Sequence, residues 1–186
     1  DGKVVAVRVK TPVGERRIEG NHFISTMPIK HLVRSFDPAP PAEILAGGDG
    51  LNYRDFLTVA VMISQDNLFP DNWIYIHTPG VKVGRIQNFN NWSKAMVPGA
   101  GTTCLGLEYF CFEGDGLWTS KDEDLIELAK KELAALGLVD PSMVFDGTVV
   151  RQPKAYPVYD SVYAEHLNTA RSYIDAIPNL HTVGRN

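Results

Sequence analysis

Three groups of residues carry the side chains from which this chain could build a site. The first is aromatic and amide-rich: Trp73, Tyr75, Asn88, Phe89, Asn90, Asn91 and Trp92. Alternation along an extended strand puts Trp73, Tyr75 and His77 on one face. Aromatic faces beside amides suit a flat or sugar-like ligand. The same residues would also make an ordinary aromatic core with a polar turn. The second group runs from Arg151 to Asp160 and holds Lys154, Tyr156, Pro157 and Tyr159. A strand that leads into an irregular segment of this composition can present hydroxyls and a guanidinium rigidly to a pocket. It can equally be a surface loop that packs its tyrosines on a sheet. The third group is Gly184-Arg185-Asn186, after a predicted strand, where glycine permits close approach of a cofactor.

Other chemistries leave no trace. There is no Gly-x-Ser-x-Gly elbow and no Walker loop, and Gly99-Ala-Gly101 lacks the third glycine of a dinucleotide fingerprint. The five histidines are far apart and have no Cys, Asp or Glu beside them in a ligand pattern, so no metal site is expected. Cys104 and Cys111 lie seven residues apart on a predicted strand and so point to opposite faces. Two buried, reduced thiols and a cytoplasmic setting are the expectation. Asn91-Trp92-Ser93 matches a glycosylation sequon, with no sign of secretion to support it. The net charge is -4, with Lys and Arg scattered, which argues against nucleic acid as a partner. The longest aliphatic stretch, Leu57 to Ile63, is too short to span a bilayer, so no transmembrane segment is expected.

The elements that must position these residues follow from periodicity and punctuation. Residues 3–10 and 16–27 read as strands around a Thr11-Pro12-Val13-Gly14 turn, the second ending in an apolar run suited to a strand covered on both faces. Pro28 then opens a short helix through Ile29, Leu32, Val33 and Phe36, and a second short helix over 42–46 is expected to end at Gly47-Gly-Asp-Gly50. Strands follow over 56–63, 73–77, 83–89 and 102–112, joined by short turns, which predicts an antiparallel meander. Ser120 and Glu123 form a capping box for a helix with a stripe of Leu125, Leu128, Ala129, Leu133 and Leu136, closed by Gly137. A strand over 143–150, a helix over 161–174 and a strand over 180–183 complete the chain. The predicted class is α+β: an antiparallel sheet with flanking helices, and terminal strands that belong elsewhere.

Both ends read as interrupted. Asp1-Gly2 is a hairpin signal whose first strand is missing, and Gly184-Arg185-Asn186 begins a loop that does not finish. The expectation is an internal piece of a larger protein, with unpaired edges prone to dimerisation or edge-strand pairing.

Taken in order, His22-Phe-Ile-Ser-Thr-Met-Pro28, the helix ending at Gly137-Leu138, Val149-Val-Arg-Gln-Pro-Lys-Ala-Tyr-Pro-Val-Tyr159 and Asn179-Leu-His-Thr-Val-Gly-Arg-Asn186 resemble the FAD-dependent amine-oxidase-like flavoproteins. That group includes protoporphyrinogen oxidase and UDP-galactopyranose mutase, and the likeness is closest to its mutase-like members. The resemblance implies that 1–28 is a remnant of a truncated, Rossmann-like FAD-binding domain, 29–178 the substrate-binding domain, and 179–186 a return strand. It implies Thr26, Pro28, Gly184 and Arg185 near FAD, and Tyr156 and Tyr159 near the substrate. Arg85, Arg151 and Arg185 are candidates by type for holding a diphosphate. Asn88, Trp92 and Tyr75 are added as substrate-binding residues from the aromatic cluster. The implied activity is a flavoenzyme acting on a small molecule, a sugar nucleotide in the mutase or an amine, porphyrin or isoprenoid in the oxidases. The glycine-rich motif that holds FAD would precede Asp1, so the isolated piece is expected to be inactive. A ligand-binding or interaction module without catalysis is the alternative.

Overall fold

The computed structural model describes residues 2–185, so the readings that rest on Asp1 and Asn186 lie outside the described residues. The chain forms two compact units, Asp1–Tyr53 with Tyr156–Asn186, and Arg54–Ala155. The resemblance divides the chain at 28 and 178, by the origin of segments rather than by their packing.

The first unit begins with a hairpin, β1 (Ala6–Thr11) and β2 (Gly14–Glu19), in antiparallel register with Val7 opposite Ile18 and Thr11 opposite Gly14. Both strands are largely exposed. The strand predicted over 16–27 is broken at Gly20-Asn21-His22, and its second part is the three-residue β3 (Phe23–Ser25). It pairs in parallel with β9 (Leu180–Thr182), Ile24 opposite His181. Only Ser25 of β3 is buried, so this strand is not covered on both faces. Asn179 fixes the approach to the pair: its Oδ1 accepts from Val4 N at 3.0 Å, and its Nδ2 donates to Val4 O at 2.8 Å and Asn21 O at 3.0 Å.

Three helices complete this unit: α1 (Ile29–Arg34), α2 (Ala42–Gly50) and α5 (Tyr163–Ile174). Their shared core is Ile29, Leu32, Val33, Ile44, Leu51, Ala170 and Ile174, with Leu180 of β9. Full burial of side chains of this size contributes about 1.5–3 kcal/mol each before entropy is counted. Gly47 and Gly48 were expected to end α2, yet the helix runs through them to Gly50. Close packing is the reason. A Cβ on Gly48 would sit 2.2 Å from Val33 Cγ2, and one on Gly47 2.9 Å from Thr169. The glycines trade helix propensity for contact between helices.

The second unit is a five-stranded sheet in the order β5-β6-β7-β4-β8. Its strands are β4 (Tyr53–Ile63), β5 (Trp73–Tyr75), β6 (Arg85–Asn88), β7 (Thr103–Cys111) and β8 (Val144–Pro157). Pairs β5–β6 and β6–β7 are antiparallel, as the meander predicts, but β4 lies antiparallel beside β7 instead of beside β5, so the first strand of the run crosses to the far side of the last. A four-residue helix, α3 (Phe89–Trp92), follows β6. One face of the sheet packs on α4 (Asp122–Ala135), burying Leu57, Val59, Val61, Ile86, Leu105, Leu107 and Tyr109 against Leu125, Ala129 and Leu133. Gly137, at φ +68°, closes α4, with Leu138 N donating to Leu133 O at 3.0 Å.

The capping box does not form. Lys121 takes the cap position without a side-chain bond, and the Ser120 hydroxyl donates to Gly116 O at 2.6 Å instead. The turn before α4 is held by Asp115, which accepts from the amides of Phe112, Leu117 and Trp118. Burial works to raise the Asp115 pKa, but those amides bring it below the ordinary carboxylate value. The irregular segment expected from Arg151 is mostly strand, because β8 continues to Pro157. Its one irregularity is Lys154, at φ +55°, whose amide donates to the buried Asp55 carboxylate at 2.7 Å. Among the described residues, no helix is long and apolar enough to cross a membrane.

Cys104 and Cys111 are both buried and free on β7. Burial pushes each thiol up to about 11 from an ordinary 9.0. Between pH 9 and 11 the unfolded state therefore ionises first, binds fewer protons than the folded state and is favoured as pH rises. We expect the native protein to leave both thiols unreacted with Ellman's reagent at pH 8, and its stability to fall above pH 9. A Cys104→Ala/Cys111→Ala variant should lose most of that alkaline slope in urea titrations.

Candidate functional site

The face of the five-stranded sheet turned away from α4 carries the residues with chemical potential. Register places them in rows. Tyr75 lies opposite Arg85, Arg85 opposite Glu108, and Glu108 opposite Thr58. The neighbouring row is Trp73, Gln87, Gly106 and Ala60. Beyond Glu108 on the other side, Phe110 faces Phe56. A polar stripe thus crosses the sheet between two aromatic borders.

Glu108 is its centre. It is 0% exposed, although it lies on the face opposite the hydrophobic core. A lone carboxylate in such a place would cost several kcal/mol. Here it accepts from Arg85 Nε on one oxygen and from Gln87 Nε2 on the other. The Arg85 guanidinium in turn lies 5.7 Å from the rings of both Trp73 and Tyr75, which are 45% and 58% exposed. Two rings and one carboxylate restrict where that guanidinium can sit. Trp92 packs on Trp73 with centroids 5.4 Å apart. Gly106 is required here: a Cβ would meet the Phe89 ring at 2.8 Å.

Asn88 does not join this face. It follows Arg85 by three residues, so alternation turns it to the α4 side, where it is 1% exposed. Its Nδ2 donates to Phe69 O at 3.2 Å, and Asn91 Nδ2 donates to Phe69 O at 3.0 Å and Asp71 O at 2.9 Å. Asn90 donates to Thr102 O and accepts from Cys104 N. The amides predicted to meet a ligand hold loops against the sheet, because buried backbone groups need partners. Arg151 likewise binds Trp118 O at 3.0 Å, Ser120 O at 2.6 Å and Asp122 Oδ1 at 2.6 Å, fixing the turn before α4. Sequence reading missed Glu108. The signal was present, since a single glutamate inside Thr-Cys-Leu-Gly-Leu-Glu-Tyr-Phe-Cys must be buried and paired.

The first unit gathers the other predicted residues at the carboxyl ends of the parallel pair β3 and β9. Val183 N donates to Ser25 O at 3.0 Å, which brings Gly184 and Arg185 to the same end as Thr26 and Pro28. Gly184 has φ +118°, a conformation open to glycine and strained for other residues. The Arg185 guanidinium lies 4.3 Å from the centroid of the Tyr156 ring. Tyr159 is exposed and meets Tyr163 edge to face at 4.8 Å. Among the described residues no group of three or more His, Cys, Asp or Glu could hold a metal.

No protein-family model matches the chain, and no curated protein matches it. Solved structures do. The structure of reduced UDP-galactopyranose mutase is 20% identical, with a TM-score of 0.75 over 99% of this chain and 40% of that one. A proposed protoporphyrinogen oxidase from Exiguobacterium sp. 255-15 gives 16% identity and 0.64 over 99% and 39%. A protein from Pyrococcus furiosus gives 12% and 0.57 over 97% and 40%. The chain shares their fold. It spans about two fifths of the length of each. The antiparallel sheet with flanking helices is thus common to this chain and to these structures.

Removing Arg85 leaves Glu108 buried without its counter-charge, which costs about 3–5 kcal/mol, and removing Glu108 leaves the half-buried Arg85 without its partner. We expect Arg85→Met to lower the urea midpoint by that order, Glu108→Leu to lower it too, and the double variant to recover most of the loss. Additive losses would show that the two side chains do not depend on each other.

Proposed function

We propose that this chain is the substrate-side portion of a FAD-dependent flavoenzyme that acts on a sugar nucleotide, as the name of its mutase neighbour suggests. The observation that carries the reading is the 0.75 TM-score to UDP-galactopyranose mutase over 99% of the chain. The match to a proposed protoporphyrinogen oxidase supports the second reading, an oxidase of an amine, porphyrin or isoprenoid. In both, the partner is a small molecule rather than nucleic acid, and the unpaired buried thiols suit the cytoplasm.

The residues at the ends of β3 and β9 fit a flavin. Ligands of α/β proteins bind beyond the carboxyl ends of parallel strands, and Gly184 leaves its backbone open to close approach there. Thr26, Pro28, Gly184 and Arg185 would hold FAD, with Arg185 kept in place by Tyr156. Bound there, FAD supplies redox and nucleophilic chemistry. The sheet face of the second unit does the recognition: Trp73 and Tyr75 offer surfaces for a flat or sugar-like group, and Arg85 offers a guanidinium of fixed position. In the first unit, Tyr159 offers an exposed hydroxyl. The chain alone would be inactive, since it spans about two fifths of the length of these neighbours.

The full-length protein should show a flavin absorption spectrum and, once reduced with dithionite, turn over UDP-galactose. A flavin spectrum without turnover favours the oxidase reading. No flavin, even after reconstitution, overturns both and leaves a binding module. The isolated chain should also self-associate through the open edges of the β1–β2 hairpin. Sedimentation that stays monomeric across concentrations would refute that.

A further inference from the structure

The second unit contains three arginines, and the structure gives them different electrostatic states. Arg151 is paired with Asp122 and two carbonyls, and Arg85 is neutralised by the buried Glu108. Arg54 is the third. Its guanidinium lies 5.8 Å from the Phe110 ring and 5.9 Å from the Phe112 ring, and among the described residues no carboxylate pairs with it. Arg54 is exposed, and both rings are partly so. It also shares the face of the polar stripe. Residues of one parity on β4 point one way: Phe56 meets Phe110 and Thr58 meets Glu108, so Arg54 lies on their side, two strands from Arg85.

An arginine on two rings is restrained in position yet keeps the edge of its fork in solvent, where it matches an oxyanion with two parallel hydrogen bonds. Arg85 has already given its Nε–H to Glu108, and the charge it brings to the face is cancelled. We propose that Arg54, cradled by Phe110 and Phe112, is the oxyanion-binding residue of this sheet face and takes a phosphate or carboxylate of the ligand. Arg85 is then a fixed structural donor rather than the source of attraction. This rests on the reading of the sheet face as the substrate side.

The test is calorimetric binding of UDP, and of succinate as a carboxylate probe, to the full-length protein. Arg54→Gln should weaken binding of the preferred probe at least tenfold and flatten its salt dependence, while Arg54→Lys recovers part of the loss. Arg16→Gln, in the β1–β2 hairpin of the first unit, makes the same charge change and should leave binding as in the wild type. Thermal midpoints of all three variants should stay close to wild type, which separates lost recognition from lost folding. Wild-type affinity in Arg54→Gln overturns the proposal. Binding of succinate but not UDP, still dependent on Arg54, keeps the oxyanion site and removes the sugar-nucleotide reading. Binding of neither probe overturns the proposal, and the flavin spectrum then decides the enzyme reading on its own.

Discussion

The position of β6 depends on two buried carboxylates, one from each side of the sheet. On the α4 side, Glu132 is 5% exposed and accepts from Lys82 N at 2.6 Å, Val83 N at 3.1 Å and the Tyr109 hydroxyl at 3.0 Å. On the other side, Glu108 holds the side chains of Arg85 and Gln87. A buried carboxylate without donors is strongly unfavourable, so each can sit only where its donors are. The short β6 of four residues is thereby fixed at its entry by backbone donors and along its length by side chains. Burial and the nearby Glu132 charge together hold the Tyr109 hydroxyl well above the usual phenol range, so it stays a donor.

That constraint shapes the chemistry of the exposed face. Once β6 is in register with β7, Tyr75 and Trp73 of β5 must lie over Arg85, and the rings and the guanidinium become one rigid group. The cost of burying Glu108 is offset by the same contacts that order a recognition surface. Fixed groups lose less entropy when a ligand arrives, which is the advantage of such an arrangement for binding.

The first unit uses a different economy. Its strands are short, and the glycines of α2 let its helices approach closely around a core of Ile29, Val33, Ile44 and Ile174. Burial raises the pKa of Tyr53, partly opposed by the Lys30 and Ile29 amides at the start of α1. Asn179 fastens the segment before β1 to the segment before β3. These are tertiary substitutes for local signals.

Much of the fold was legible in the chain. Alternation at Leu57, Val59 and Val61 and the stripe of Leu125, Ala129 and Leu133 fixed which faces meet, because a strand or helix period allows one buried side. Alternation also put Tyr75 with Trp73, and the same rule applied to Arg85 and Asn88 would have separated them. Pairing was not legible. Ser120 and Glu123 have the spacing of a capping box, but the Ser120 hydroxyl donates to Gly116 O, in a turn whose carbonyls Arg151 holds from a distant strand. Gly47 and Gly48 look like helix breakers until Val33 and Thr169 are seen against them. Sequence by itself determined which residues must be buried and on which period. Only the tertiary structure decided which charge meets which, and so that Arg85 and Arg151 are neutralised while Arg54 has no carboxylate partner among the described residues, because ion pairing depends on distances between elements that no local pattern encodes.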